Sequence, residues 1–210
     1  MTYTSEKNRG ITLVECVIVL FIVGLITLFI CTFFITQTKH YNREEQITKM
    51  QQDLRTGLMI MVKDIREAGY DPTGMANAGF VDSDTNMTSI GFTKDTDNGG
   101  DGACDDLNEN ILYSFSDNNL LRNGRIKAEN IENLEFNYIL SDGNSTTAPA
   151  DCEQIRLVQI TMLARTRSDK TDFVDTKTYT RASGGTWGPY NDNFKRWLLT
   201  TTVKCRNMAL

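Results

Sequence analysis

Histidine is nearly absent: there is one in 210 residues, at position 40. That excludes His-rich metal sites and takes the usual base away from a nucleophile–base constellation. No C-x-x-C pair occurs among the five cysteines, which argues against thiol–disulfide redox chemistry. There is no basic excess either, since 22 Lys and Arg stand against 27 Asp and Glu, a net charge of −5. A nucleic-acid binder needs clustered cations to neutralise phosphates, so no nucleic-acid partner is expected. With 40% apolar and 23% charged residues the chain is neither disordered nor collagenous, and its length fits one ordinary domain or a smaller domain with an appendage.

The mean hydropathy of −0.33 suggests a plain soluble protein, but it averages two unlike parts. Cys16 to Ile35 reads CVIVLFIVGLITLFICTFFI, in which 17 of 20 residues are apolar and none is charged. Twenty helical residues at about 1.5 Å each cover about 30 Å, the hydrocarbon thickness of a bilayer. A removable secretory signal would have a shorter apolar region and a small-residue cleavage site, whereas this run leads into TQTKHYNREE. The expectation is a transmembrane helix at about 16–35. Lys7 and Arg9 before the run favour a cytoplasmic N-terminus, although Lys39 and Arg43 follow it closely. His40, beside the run, reads as interfacial.

Glu15 sits one residue before the run. A carboxylate at the lipid boundary either marks the cytoplasmic edge or has a functional partner. A cut after Gly10 would create a new α-amino group on Ile11, four residues from Glu15. Within one helix these two share a face; between staggered helices the amine of one copy can meet the carboxylate of the next.

Arg9-Gly10 followed by Ile11-Thr12-Leu13-Val14-Glu15 and the apolar run resembles the class III signal of the type IV pilin superfamily. The resemblance implies a leader, residues 1–10, removed by a prepilin peptidase that cleaves between Gly10 and Ile11 and N-methylates Ile11. It also implies an assembly role for Glu15. Ile11 stands where major pilins usually have Phe, and the run lacks the helix-kinking Pro of many major pilins, so the pattern is closer to minor pilins and pseudopilins.

Beyond the run, apolar residues recur at Ile47, Met50, Leu54, Leu58, Met61, Ile65 and Ala68 in steps of three and four. The opposite face carries Glu44, Lys49, Gln52, Arg55, Lys63 and Arg66. This predicts a helix over 11–70, with a first half for lipid and a second half docked on a globular domain, stopped by Gly69 and Pro72. The remainder, 71–210, reads as short strands: Ala78–Val81, Ser89–Thr93, Ile111–Phe115, Leu120–Arg122, Ile131–Leu140, Ile155–Ala164 and Trp197–Lys204. The expected fold is α+β, a long N-terminal helix packed on an antiparallel sheet. The stretches Gln51–Pro72, Ala128–Tyr138 and Lys195–Asn207 are similar to PilW-type minor pilins, which are close to J-type pseudopilins of type II secretion.

Cys16 and Cys31 in the apolar run act as small hydrophobes. Cys104, Cys152 and Cys205 would lie in an oxidising periplasm and allow three single pairings. Cys104–Cys152 is the favoured disulfide, with Cys205 as the alternative partner. Lys94–Glu109 holds six acids and one Lys. Asp95, Asp97, Asp101 and Asp106 occupy positions 1, 3, 7 and 12 of an EF-hand-like loop with Gly100 at position 6, so calcium is the candidate metal. Position 5 is Gly99, position 12 is Asp, and a solvated acidic loop accounts for the same pattern.

These readings converge on a non-enzymatic minor pilin that takes part in assembly or priming of a type IV pilus. It would be inserted once in the bacterial inner membrane, with its C-terminal domain periplasmic, and then incorporated in the filament or its tip. The resemblance implies as partners other pilins and minor pilins, the prepilin peptidase, the inner-membrane assembly platform and membrane lipid. The alternatives are a J-type pseudopilin of a secretion pseudopilus and, in another class, a membrane-anchored periplasmic receptor or enzyme.

Overall fold

A computed structural model describes residues 12–96, 99–106, 108–167 and 173–208. The chain divides into two compact units, Met1–Glu45 and Gln46–Leu210. Helix α1, Leu13–Glu67, contributes to both.

In the first unit the side chains from Leu13 to Ile35 are exposed throughout, including Leu20, Phe21, Phe29 and Phe34. Such a surface needs an apolar surrounding, and α1 is long and apolar enough to cross a membrane. The hydroxyls in this stretch are satisfied within the helix. Thr27 donates to the Val23 carbonyl, Thr32 to Leu28 and Phe29, Thr36 to Thr32 and Thr38 to Phe34, at 2.8–3.1 Å. No threonine therefore brings an unmet polar group into lipid.

In the second unit α1 buries Met50, Leu54, Met61 and Ile65, the stripe expected from the periodicity, while Ile47 and Leu58 pack at its margin. The helix ends where expected. Gly69 has φ +74°, a left-handed conformation that favours glycine, and its N–H donates to the Thr93 carbonyl at 3.0 Å. Gly57 has another role, because a Cβ there would come within 2.9 Å of the Ala128 Cβ. Helix and strand cross at a distance that only glycine permits. Gly57→Val should cost about 1–3 kcal/mol, seen as a lower denaturation midpoint of the folded domain.

Two four-stranded antiparallel sheets face this helix stripe, where the sequence predicted one. The first sheet runs β1 (Ser89–Thr93), β2 (Asn110–Ser116), β3 (Asn119–Arg122) and β4 (Arg125–Glu129) in that order. Its hairpins turn on pairs of left-handed residues, Asp117-Asn118 at φ 51° and 59° and Asn123-Gly124 at φ 48° and 73°, the two-residue form that suits strand twist. Ala78–Val81 contributes only a bridge from Phe80 to Phe92. The second sheet contains β5 (Ile131–Leu140), β6 (Ser145–Thr146), β7 (Ile155–Arg165) and β10 (Arg196–Lys204), ordered β10-β7-β5-β6. Leu134, Phe136 and Tyr138 stand opposite Met162, Ile160 and Val158, all buried in one apolar core with Leu54, Met61 and Ile65.

The other face of β5 and β7 is polar and also covered. Glu135 pairs with Thr161 and Asn137 with Gln159 across the strands. The segment from Phe173 to Lys195, with the short strands β8 (Tyr179–Thr180) and β9 (Thr186–Trp187), bonds to this face. The fully buried Glu135 accepts from Arg181 Nη1 at 2.8 Å and from the Ser183 hydroxyl at 3.0 Å, and the Ala182 N–H donates to Thr161 Oγ1. Arg196, its side chain fully buried, donates to Asp192 at 2.6 Å, Asp175 at 3.0 Å and Glu132 at 3.2 Å and lies 3.8 Å from the Tyr190 ring centre.

Candidate functional site

The site singled out by the sequence lies at the start of α1. Gly10 and Ile11 fall outside the described residues. At Thr12 the helix begins with a reciprocal cap. Glu15 Oε2 accepts from the Thr12 N–H at 2.8 Å and from the Thr12 hydroxyl at 2.9 Å, while the Glu15 N–H donates back to the Thr12 hydroxyl at 3.3 Å. The first helical bond follows, from the Cys16 N–H to the Thr12 carbonyl at 3.2 Å. Both bonds received by the carboxylate fall on Oε2. The signal was visible as Thr12-x-x-Glu15 before an apolar run, a pattern that the charge argument for Glu15 passed over. Glu15 thus combines the local task of capping with the exposure needed to meet a second molecule.

In the acidic loop Asp95 turns inward. Asp95 is fully buried and uses its carboxylate on the backbone, accepting from the Asp101 N–H at 3.2 Å and the Gly102 N–H at 3.0 Å, while its own N–H donates to the Tyr70 carbonyl at 2.7 Å. It ties the loop to the residue that follows the helix stop. Among the described residues, Asp101 and Asp106 group with Asp105, their oxygens within 4.8 Å of one another and all three side chains exposed. Asp97 lies outside the described residues. Glu109, which is buried, accepts from the N–H groups of Thr96 and Asp106.

Cys104 is half-buried, and Cys152 and Cys205 are buried, each as a thiol. Cys104 faces the Ala76 carbonyl at 3.9 Å, and the Cys152 N–H donates to Asp82 at 3.1 Å. Burial pushes the Cys152 thiol up to about 12, with the Asp82 carboxylate adding to the effect, and burial does the same to Cys205, also to about 12. Both stay protonated and poorly nucleophilic at neutral pH.

A polar contact that periodicity did not reveal anchors the helix. Asp64, on the buried side of α1, accepts from the Tyr113 hydroxyl and from Arg122 Nε, both at 2.7 Å. Burial and the neighbouring carboxylate push the Tyr113 phenol well above its ordinary value, so it serves as a permanent donor.

The long N-terminal helix, its exposed apolar half and the antiparallel sheets packed on its second half define a type IV pilin-like α+β fold. A solved structure of a type IV-like pilin from Thermus thermophilus superposes with a TM-score of 0.51 at 12% identity, covering 77% of this chain and 99% of that one. The sequence profile of the family described as prepilin peptidase-dependent protein B matches residues 43–180, two thirds of the chain, and the protein belongs to that family. No curated protein matches the sequence.

Proposed function

We propose that this prepilin peptidase-dependent, pilin-like protein is a minor pilin that takes part in assembling or priming a type IV pilus. In this reading the chain is held in the inner membrane by the apolar half of α1 and presents its sheet domain to the periplasm. Cleavage between Gly10 and Ile11 releases the leader, and the freed Ile11 amine is then methylated. The apolar helices then bundle, and Glu15 of one subunit pairs with the Ile11 amine of another. The observation that carries the reading is Glu15 itself, exposed at the first turn of a helix whose next twenty residues are uncharged, 17 of them apolar, and uncovered. A carboxylate drawn from there into an apolar bundle is costly unless a partner receives it.

Intact mass of the protein purified from membranes tests the processing step. The expected mass corresponds to loss of residues 1–10 and gain of one methyl group. A full-length N-terminus in a strain with an active prepilin peptidase would remove the reading.

A further inference from the structure

The exposed side of α1 in the second unit carries an unclaimed groove. Met59, Val62, Lys63 and Arg66 follow one another at i, i+3, i+4 and i+7 on one helix face. With Glu67 and Arg206 they line an open cleft of about 330 Å³. Glu67 is taken, since Lys94 Nζ lies 2.6 Å from its carboxylate. Lys63, Arg66 and Arg206 are exposed and have no carboxylate within salt-bridge distance among the described residues. The floor is apolar, and Met59 is 71% exposed. Three like charges around an apolar floor repel one another unless an acidic, partly apolar segment enters between them.

The same chain displays such a segment. Asp101, Asp105 and Asp106 gather their carboxylates within 4.8 Å of one another on the surface. Beside them stands Met75, 80% exposed, close enough that a Cβ on Gly102 would lie 3.2 Å from its Cβ. Asp95 fixes the start of this loop by accepting from the Asp101 and Gly102 N–H groups. Three cations with an apolar floor and three carboxylates with an exposed methionine are complementary in sign and in character.

We propose that the Lys63–Arg66–Arg206 groove docks the Asp101–Asp106 loop of a second copy of this chain. The two patches differ, so the contact is heterologous, and it leaves one groove and one loop unfilled at the ends of every pair. The inference stands on these patches alone and does not depend on the pilin reading.

Zero-length cross-linking of the full chain in detergent micelles tests it. Protein of natural isotope content is mixed with ¹⁵N-labelled protein in the presence of EDTA and treated with a carbodiimide. The reagent activates a carboxyl group and is released as its urea when the Lys63 amine displaces it, leaving an amide. The expected product joins the Lys63 peptide to the peptide carrying Asp101, Asp105 and Asp106, with mixed-isotope species showing that two chains are linked. Asp101→Asn/Asp105→Asn/Asp106→Asn should lower its yield at least tenfold while the circular dichroism spectrum and melting temperature stay unchanged. Links confined to single-isotope species, Lys63 joined to another acidic segment such as Glu44–Glu45, or a yield unaffected by the triple replacement would each overturn the proposal. Added vesicles of anionic phospholipid that abolish the mixed-isotope link, where neutral vesicles do not, would assign the groove to a lipid surface and overturn it as well.

Discussion

Arg196→Leu is expected to destabilise the folded domain by about 3–5 kcal/mol, read as a fall in the midpoint of chemical denaturation. The side chain is fully buried among three carboxylates, and Asp175 is itself fully buried. Among the described residues, removing the guanidinium leaves Asp175 the Tyr179 hydroxyl at 2.8 Å and the Lys177 N–H at 3.2 Å to offset a charge withdrawn from water. The double variant Arg196→Leu/Asp175→Leu removes that orphaned charge and should recover part of the loss. A single-variant cost below about 1 kcal/mol would show that the network carries no such burden. The effect also has a pH signature. Its hydrogen bonds from Arg196 hold the Asp192 carboxyl below its ordinary value. A depressed carboxylate contributes stability above its unfolded pKa of about 3.9, and that contribution is lost as pH falls through the folded value. The gap between wild type and Arg196→Leu should therefore be widest above about pH 5 and narrow under acid.

At Glu15 the expected result is loss of assembly without loss of processing. Glu15→Ala should be cleaved and methylated normally yet enter filaments at least ten times less often, counted by immunoblot of sheared filaments. The reciprocal cap makes alanine alone ambiguous, because it removes both the charge and the bonds to Thr12. Glu15→Gln separates the two, since glutamine completes the same cap while carrying no charge. Charge pairing with a neighbour's amine requires that glutamine fail as alanine does. Filaments formed normally by Glu15→Gln would assign the residue to capping and overturn the pairing mechanism.

How far the sequence could be read depended on the range of each interaction. The stripe Met50, Leu54, Met61 and Ile65 was legible because a helix repeats its buried positions every three to four residues. The long strands β5 and β7 showed themselves in the same local way, through alternation over about ten residues. Strand β4 was missed although Asn123-Gly124 announced its hairpin, because Arg125–Glu129 is short and exposed on three of its five positions. Asp64 gave no local sign: a charge next to an apolar stripe looks solvated until Tyr113 and Arg122, 49 and 58 residues away, are brought to it. The covering segment from Phe173 to Lys195 was illegible for the same reason. Its strands are two residues long, and what secures it is ion pairing across gaps such as the 46 residues between Glu135 and Arg181. The Thr12–Glu15 cap was fully legible as a motif and was overlooked because the same carboxylate already had an explanation.

That cap bears on how processing would relate to folding. Every atom in it belongs to Thr12 or Glu15, and the amide between residues 11 and 12 survives a cut between 10 and 11. Under the proposed processing, the helix has the same first turn before and after the leader departs. The peptidase would then unmask an amine one residue before this cap without breaking any of its bonds. The moment of assembly would be set by an enzyme's clock and not by a conformational relaxation.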